Sequence, residues 1–386
     1  MSFDRVFLII LDGVGAGASP DADKYGDVGS HTLLHVHEHV GLSVPNMSAL
    51  GMSNIIPTQT SASKGAWGTM QERSEGKDTT TGHWEISGVI LEQAFPTYPQ
   101  GFPTEIIDEF TQKVGREKIL GNYPASGTAI IQELGDEHCK TGYPIVYTSA
   151  DSVFQIAAHE DVIPPQKLYE MCKIAREILM GEHCVGRVIA RPFVGESGNY
   201  TRTSRRKDFA VEPTDVTILD ALKKNGLSAI GVGKISDIFA ARGITESYPQ
   251  KGNAACMESV FELLDKDFRG LVFVNLIDFD MLYGHRNNPQ GFAQALETFD
   301  AQVPQMLSKM TEKDLLIITA DHGNDPTTAS TDHSREYVPL LVYHKNMQNL
   351  ISLGQRSTFA DIAKTIDDNF ELQQVKNGNS FLSMIQ

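Results

Sequence analysis

The stretch LVFVNLIDFDMLYGHR, residues 271–286, decides the fold. Its first half is a continuous apolar run of strand length. Continuous rather than alternating apolarity predicts a strand covered on both faces, as in a parallel sheet flanked by helices. The run then stops at acids, Asp278 and Asp280, and His285 follows five residues after Asp280. Two other runs end the same way: VFLIILDG (6–13) at Asp12 and LLIITADHG (315–323) at Asp321. In an open parallel sheet, ligands collect at the carboxyl ends of the strands. Three strands would therefore deliver carboxylates to one rim, where bare they would repel one another and a cation is the natural remedy. Histidines accompany them. His285 trails Asp280, His322 directly follows Asp321, and His333 comes eleven residues after His322, just before the run VPLLVY. Mixed imidazole and carboxylate ligation suits Mn²⁺ or Zn²⁺ better than Ca²⁺.

Further short apolar runs that end in turn residues are PIVYTSAD (144–151), RVIARPFV (187–194), LSAIGVG (227–233) and PLLVYH (339–344). Between the runs lie helical patterns. Phe292, Leu296, Phe299, Val303, Met306 and Met310 recur every three or four residues, predicting one helix over 292–310. Leu168, Met171, Ala175, Ile178 and Leu179 predict another near 166–180. Alternation of strand and helix gives an α/β class. The acid-ended runs fall in 1–94 and 212–386, which we expect to form the core domain. Residues 95–211, bracketed by AFPTYPQGFP and AVEPTD, are expected to be a domain inserted into it.

Composition narrows the function. The chain has 386 residues, 33 basic against 49 acidic, for a formal charge of −16. That balance disfavours nucleic acid or an anionic membrane as partner, because phosphate backbones need a concentrated basic footprint. The four cysteines, Cys139, Cys172, Cys184 and Cys256, are scattered and show no CxxC pairing, as expected in a reducing cytosol. The N-terminal apolar run is too short to span a bilayer and lacks a cleavage site, so a cytoplasmic location is expected. GVGAG and GVGK complete neither nucleotide-binding fingerprint, and the acid at the first strand end argues for metal instead.

GKDTTTGHWE, residues 76–85, crowds hydroxyls, charges and an imidazole between glycines. Together with LDGVGAG, YTSADSVFQIAAHE, GRVIARPFVG, NLIDFDMLYGHR, TADHGNDP and TDHSREYVPLL, it resembles the motifs of the phosphopentomutases, a family of the alkaline-phosphatase superfamily. The likeness runs nearly the full length of the chain. It implies an alkaline-phosphatase-like core with a largely parallel sheet flanked by helices, plus an inserted α+β cap. It further implies Asp280, His285 and His333 on one metal ion, Asp12, Asp321 and His322 on a second, and Thr79 as nucleophile. A threonine hydroxyl is a weak nucleophile until a bound dication lowers its pKa. Thr80 and Thr81 read as helix-cap or turn residues.

The same resemblance implies interconversion of the 1- and 5-phosphates of ribose and deoxyribose, two Mn²⁺ ions, and a sugar bisphosphate that primes Thr79. Ser149 and Asp151 would bind sugar hydroxyls, and Arg187, Arg202 and Lys234 phosphate or sugar, since guanidinium offers a fork of donors to phosphate oxygens. The expected partners are small pentose phosphates, with no obligatory protein partner evident. Arg205, Arg206 and Lys207 read as a solvated turn. Rival readings are another phosphatase or phosphoglycerate-type mutase of the superfamily, and a non-catalytic metal-dependent binding protein.

Overall fold

The computed structural model describes residues 2–58, 60–149 and 151–386. The chain forms two compact units, one of residues 1–93 with 213–386 and one of residues 94–212. The described residues form fourteen strands, numbered here in chain order. β1 (Arg5–Leu11) and β2 (Gly65–Met70) belong to the first unit. β3 (Leu120–Pro124), β4 (Ile145–Thr148), β5 (Val153–His159), β6 (Arg187–Glu196), β7 (Asn199–Arg202) and β8 (Lys207–Ala210) belong to the second. The first unit resumes with β9 (Ser228–Val232), β10 (Glu246–Tyr248), β11 (Gly270–Leu276), β12 (Asp314–Thr319), β13 (Val338–Tyr343) and β14 (Leu350–Arg356).

The first unit is built on an eight-stranded sheet in the order β10-β9-β11-β1-β12-β13-β2-β14. β1 lies between β11 and β12, parallel to both, and all three are buried from end to end. The class expected from the apolar runs is the class observed. The sheet is largely parallel, as expected, with one strand reversed. The run VPLLVY forms β13, which is antiparallel to both neighbours, β12 and β2. Burial on both faces demands apolar side chains at every position whichever way the strand runs, so the pattern is silent on direction. The reversal has a consequence for the site. β13 starts at the rim where β12 ends, Thr319 facing Leu340, and β2 ends at that rim, Met70 facing Val338. Residues just before β13 and just after β2 are thereby brought to the carboxyl ends of β1, β11 and β12.

The helix Pro289–Lys309 carries the predicted stripe, with Phe292, Leu296, Phe299, Val303 and Met306 buried and Met310 buried just past its end. In the second unit a sheet runs β3-β4-β5-β6-β7, with β8 also paired to β6. Helix Pro165–Ile178 buries Leu168, Met171 and Ala175 in one apolar cluster with Phe102, Phe110 and Phe154. Tyr147, Phe193 and Tyr200 form a second cluster with Ile130 and Ile131 of helix Gly127–Thr141. No described helix is long and apolar enough to cross a membrane.

At the amino-terminal rim of the large sheet, Arg5 and Asp314 face each other across β1 and β12. Arg5 donates from Nε and Nη2 to the two carboxylate oxygens of Asp314, at 2.7 and 2.6 Å, and from Nη1 to the carbonyls of Leu264 and Lys266. Asp314 is fully buried. Its replacement would strand the guanidinium in the sheet, so Asp314→Ala should cost about 3–5 kcal/mol of unfolding free energy. Urea unfolding of the variant measures this, and a loss under about 1 kcal/mol would show that the pair does not hold the strands.

Candidate active site

Asp12 is the first residue after β1, Asp321 stands two residues after β12, and Asp280 sits in the helical turn Phe279–Tyr283 that follows β11. Asp278 is diverted from this cluster. Its carboxylate accepts the backbone N–H of Asn253 at 2.8 Å. His322 Nε2 lies 3.4 Å from Asp12 Oδ1 and 3.3 Å from Asp321 Oδ2. Asp280 meets two imidazoles, His333 Nε2 at 3.3 Å from Oδ1 and His285 Nε2 at 3.2 Å from Oδ2. Ligand atoms of Asp12, Asp321 and His322 lie within 4.8 Å of one another, as do those of Asp280, His322 and His333. His322 is common to both groups. The resemblance places it on one ion only and gives His285 to the other; His285 reaches Asp280 but stands at the rim, partly exposed.

The charges are unbalanced. Burial lifts the Asp12 carboxyl well above the usual range, and the nearby Asp321 and Asp280 charges push it the same way. Burial acts on Asp280 too, but His333 and His285 outweigh it and hold that carboxyl well below its ordinary value. Asp321 is likewise lowered against its burial, by His322 and His83. The hydrogen bond to Asp280 raises His285 to about 9. Even so, Asp12 Oδ1, Asp321 Oδ2 and His333 Nε2 are buried without a well-aligned hydrogen bond. Buried polar atoms are otherwise nearly always satisfied. Three carboxylates and three imidazoles with orphaned ligand atoms fit first-row divalent cations, and no thiol is among them.

GKDTTTGHWE opens a helix, Thr79–Ile86, whose N-cap Asp78 accepts the N–H groups of Thr80 and Thr81. Thr81 Oγ1 also donates to Asp78, at 2.5 Å, so this hydroxyl is structural. Thr79 Oγ1 instead stands 3.1 Å from His322 Nε2. The residues after it explain the rest of the motif. A Cβ on Gly82 would lie 2.1 Å from the Asp321 carbonyl oxygen, so only glycine lets the helix approach the end of β12. His83 is fully buried, with Nδ1 2.8 Å from the Thr79 carbonyl and 3.1 Å from Asp321 Oδ2. Glu85 accepts from the N–H groups of Arg73, Ser74 and Phe359 and from the Thr358 hydroxyl, fixing the approach from β2.

A family model for the metalloenzyme superfamily matches residues 4–374. The chain is 58 % identical to the phosphopentomutase of Caldanaerobacter subterraneus subsp. tengcongensis, over 98 % of this chain and 97 % of that one. It is 57 % identical to the phosphopentomutase of Dictyoglomus thermophilum, over 99 % of this chain and 98 % of that one. The chain belongs to the phosphopentomutase family. It is a metal-dependent phosphomutase, an isomerase. Its fold is shared with the PH0037 protein of Pyrococcus horikoshii, at a TM-score of 0.50 and 17 % identity, covering 98 % of this chain and 100 % of that one.

Several residues around this phosphopentomutase-family site carry no role in the sequence reading. Asn275 Nδ2 donates to Asp12 Oδ2 at 2.6 Å and stands 3.3 Å from His83 Nε2. Asn324 Nδ2 donates to Asp280 Oδ1 at 2.6 Å. Arg335, almost wholly buried, donates to Glu72 and Asp21 and to the carbonyls of Ser74 and Gly76, tying the His333 loop to the Thr79 loop. A signal existed for Asn275, the one polar residue inside the run LVFVNLI, and for Arg335, two residues past His333.

The proposed pentose-side residues fall in both units. Ser149 follows β4 and is half-buried, and Asp151 is exposed; Ala150 between them lies outside the described residues. Arg187, on β6, has Nη2 3.8 Å from Asp151 and Nη1 3.7 Å from Asp208. Arg202 ends β7 opposite Phe193. Lys234, in the first unit, is the N-cap residue of the short helix Ile235–Ile238 after β9. Of the basic run, Arg205 pairs with Glu160 and Arg206 with Asp208 in the segment before β8, whereas Lys207, expected in the same turn, opens β8 and lies over the Tyr169 and Phe209 rings.

Gly82 offers a direct test of how closely this site is fitted. The clash is with backbone, so Gly82→Ala should cost about 1–3 kcal/mol of stability. Displacing Thr79 by about 1 Å should also lower kcat on the order of 10²-fold. Thermal melts and steady-state rates read the two effects. Wild-type values for both would show that the helix can move away freely.

Proposed function

We propose that the protein interconverts (deoxy)ribose 1-phosphate and (deoxy)ribose 5-phosphate through a phosphorylated Thr79. The observation that carries this reading is the Thr79 hydroxyl, 3.1 Å from His322 Nε2, the imidazole common to both ligand groups. Asp12, Asp321 and His322 would hold one cation, and Asp280, His285 and His333 a second, with Mn²⁺ as the expected metal. When bound, the cations would activate the threonine hydroxyl and neutralise charge at the transferring phosphoryl group.

The chain's own residues account for the rest. Phosphorylated Thr79 would pass its phosphoryl group to the free hydroxyl of a pentose monophosphate, the bond from phosphorus to Thr79 Oγ1 breaking as the bond to the sugar oxygen forms, and the proton lost by the sugar balances the one gained by the threonine. The sugar bisphosphate so formed would reorient or rebind, and Thr79 Oγ1 would take the phosphoryl group from its other end, restoring the phosphothreonine and leaving the isomeric monophosphate. A sugar bisphosphate would prime the cycle by giving up one phosphoryl group to Thr79. Asn275 and Asn324 orient the Asp12 and Asp280 carboxylates, as outer partners of metal ligands do. His83 ties the Thr79 carbonyl to Asp321, holding the attacking hydroxyl against the cluster. Ser149, Asp151, Arg187, Arg202 and Lys234 would take the sugar hydroxyls and the second phosphate. We assign residues 95–211 the role of a cap that keeps water from the phosphothreonine, without which the site would act as a phosphatase. The enzyme would work in the cytoplasm.

Labelled sugar bisphosphate tests the reading. Label should appear on Thr79 in the wild type, be absent from Thr79→Ala, and persist partly in Thr79→Ser, whose hydroxyl can be activated in the same way. Chased with ribose 5-phosphate, the label should pass to sugar faster than to water. Release mainly as free phosphate at saturating sugar would make the protein a phosphatase, and label on Thr79→Ala would remove Thr79 as nucleophile.

A further inference from the structure

Four of the chain's 12 histidines, His31, His35, His37 and His39, are gathered in HTLLHVHEHV, and none of them belongs to the cluster at the rim. The helix Thr32–Val40 buries Thr32, Leu33 and Val36, leaving His35 and His37 half-buried and His39 exposed. Residues four apart on a helix lie one above the other, about 5–6 Å apart at Cβ, so His35 and His39 share a face. His37 stands about 200° round the helix from His35.

The Nδ1 partners fix how these rings present themselves. His35 Nδ1 lies 2.6 Å from Asp325 Oδ2, and His39 Nδ1 lies 3.2 Å from the His35 carbonyl oxygen. A carboxylate and a carbonyl only accept, so each Nδ1 carries the proton and each Nε2 of the neutral ring offers a lone pair. Among the described residues, no hydrogen bond engages either Nε2. Asp325 is itself pinned. Its side chain is fully buried, and it accepts the His31 N–H at 3.1 Å and the Thr327 N–H and hydroxyl at 3.0 and 2.7 Å. A carboxylate that orients an imidazole through Nδ1 and leaves Nε2 free is the usual outer partner of a metal-binding histidine. The other two rings lack this arrangement. His31 Nδ1 accepts the Leu34 N–H at 3.3 Å, which puts its proton on Nε2 and leaves no lone pair there. His37 donates to the Leu42 carbonyl at 3.1 Å but stands alone on its face.

We propose that His35 and His39 form a further metal site, apart from the rim, that takes Zn²⁺ through their Nε2 atoms, with Asp325 as the outer partner of His35 and water in the remaining positions. Two imidazoles four residues apart on one helix face are an established way to chelate zinc. Imidazole ligation without a protein oxygen selects such an ion over Mg²⁺ and Ca²⁺, which demand oxygen ligands. Mn²⁺, the ion expected at the rim, stands lowest in the affinity order for such a site. Asp325 links the site to the loop that carries Asp321, His322 and Asn324.

Imidazole ¹⁵N signals of the full-length, Mg²⁺-loaded protein give a local test. Before Zn²⁺ is added, His35 and His39 should both carry the proton on Nδ1. Zn²⁺ should then shift both Nε2 signals together and saturably, with one midpoint, while Ca²⁺ leaves them in place. His39→Gln, at an exposed position, should weaken the binding read at His35 at least tenfold, and His37→Gln should leave it unchanged. Zn²⁺ entering the rim is read separately, from His285 and His333. The opposite tautomer at His35, no joint shift with Zn²⁺ in excess over protein, or a His35 shift that survives in His39→Gln would overturn the site.

Discussion

Three carboxylates buried at the carboxyl ends of adjacent strands cannot all be charged without a positive partner, and the rest of the first unit is arranged around that constraint. Asp12, Asp280 and Asp321 are held by β1, β11 and β12, whose apolar runs bury the acids that end them. The protein supplies three imidazoles and two side-chain amides, yet leaves ligand atoms of Asp12, Asp321 and His333 unsatisfied. The opposite rim shows what a purely structural solution looks like. There Asp314, equally buried, is matched by the fork of Arg5. A site meant only for stability could have used the same pairing at the carboxyl end. The difference between the two rims is the physical case for cations.

Strand direction then determines what can reach those cations. Because β13 is antiparallel, its leading loop brings His333 to the rim, and because β2 runs against β13, its exit leads through Glu72 and Ser74 to Thr79. Arg335 and Glu85 fasten these two loops to one another and to the helix behind them. Thr79 and the candidate metal ligands are thus positioned by one set of buried polar contacts, so small changes far from the Thr79 hydroxyl should register in its placement.

Much of this was legible in the chain. Continuous apolar runs ending in acids identified the parallel core and the rim, and helical stripes identified Pro289–Lys309 and Pro165–Ile178 to within a few residues. Other features could not be read. The direction of β13 leaves no mark on a strand buried on both faces, and β2, GAWGTM, has too few apolar residues to stand out. Asp278 and Asp280 look equivalent in NLIDFD, but the turn after β11 sends one to the Asn253 amide and the other to the histidines. Gly82 and His83 belong to a motif that was recognised, yet their reasons are tertiary: one clears the Asp321 carbonyl, the other spans Thr79 and Asp321.

The central claim is that the rim of β1, β11 and β12 is completed by two divalent cations. Metal analysis of the Mn²⁺-saturated protein after gel filtration, beside Asp12→Asn, tests it most directly. Two ions per chain in the wild type and one in Asp12→Asn are predicted, because Asp12 belongs to only one of the two ligand groups. Saturation of the wild type at a single ion, or two ions retained by Asp12→Asn, would contradict the account.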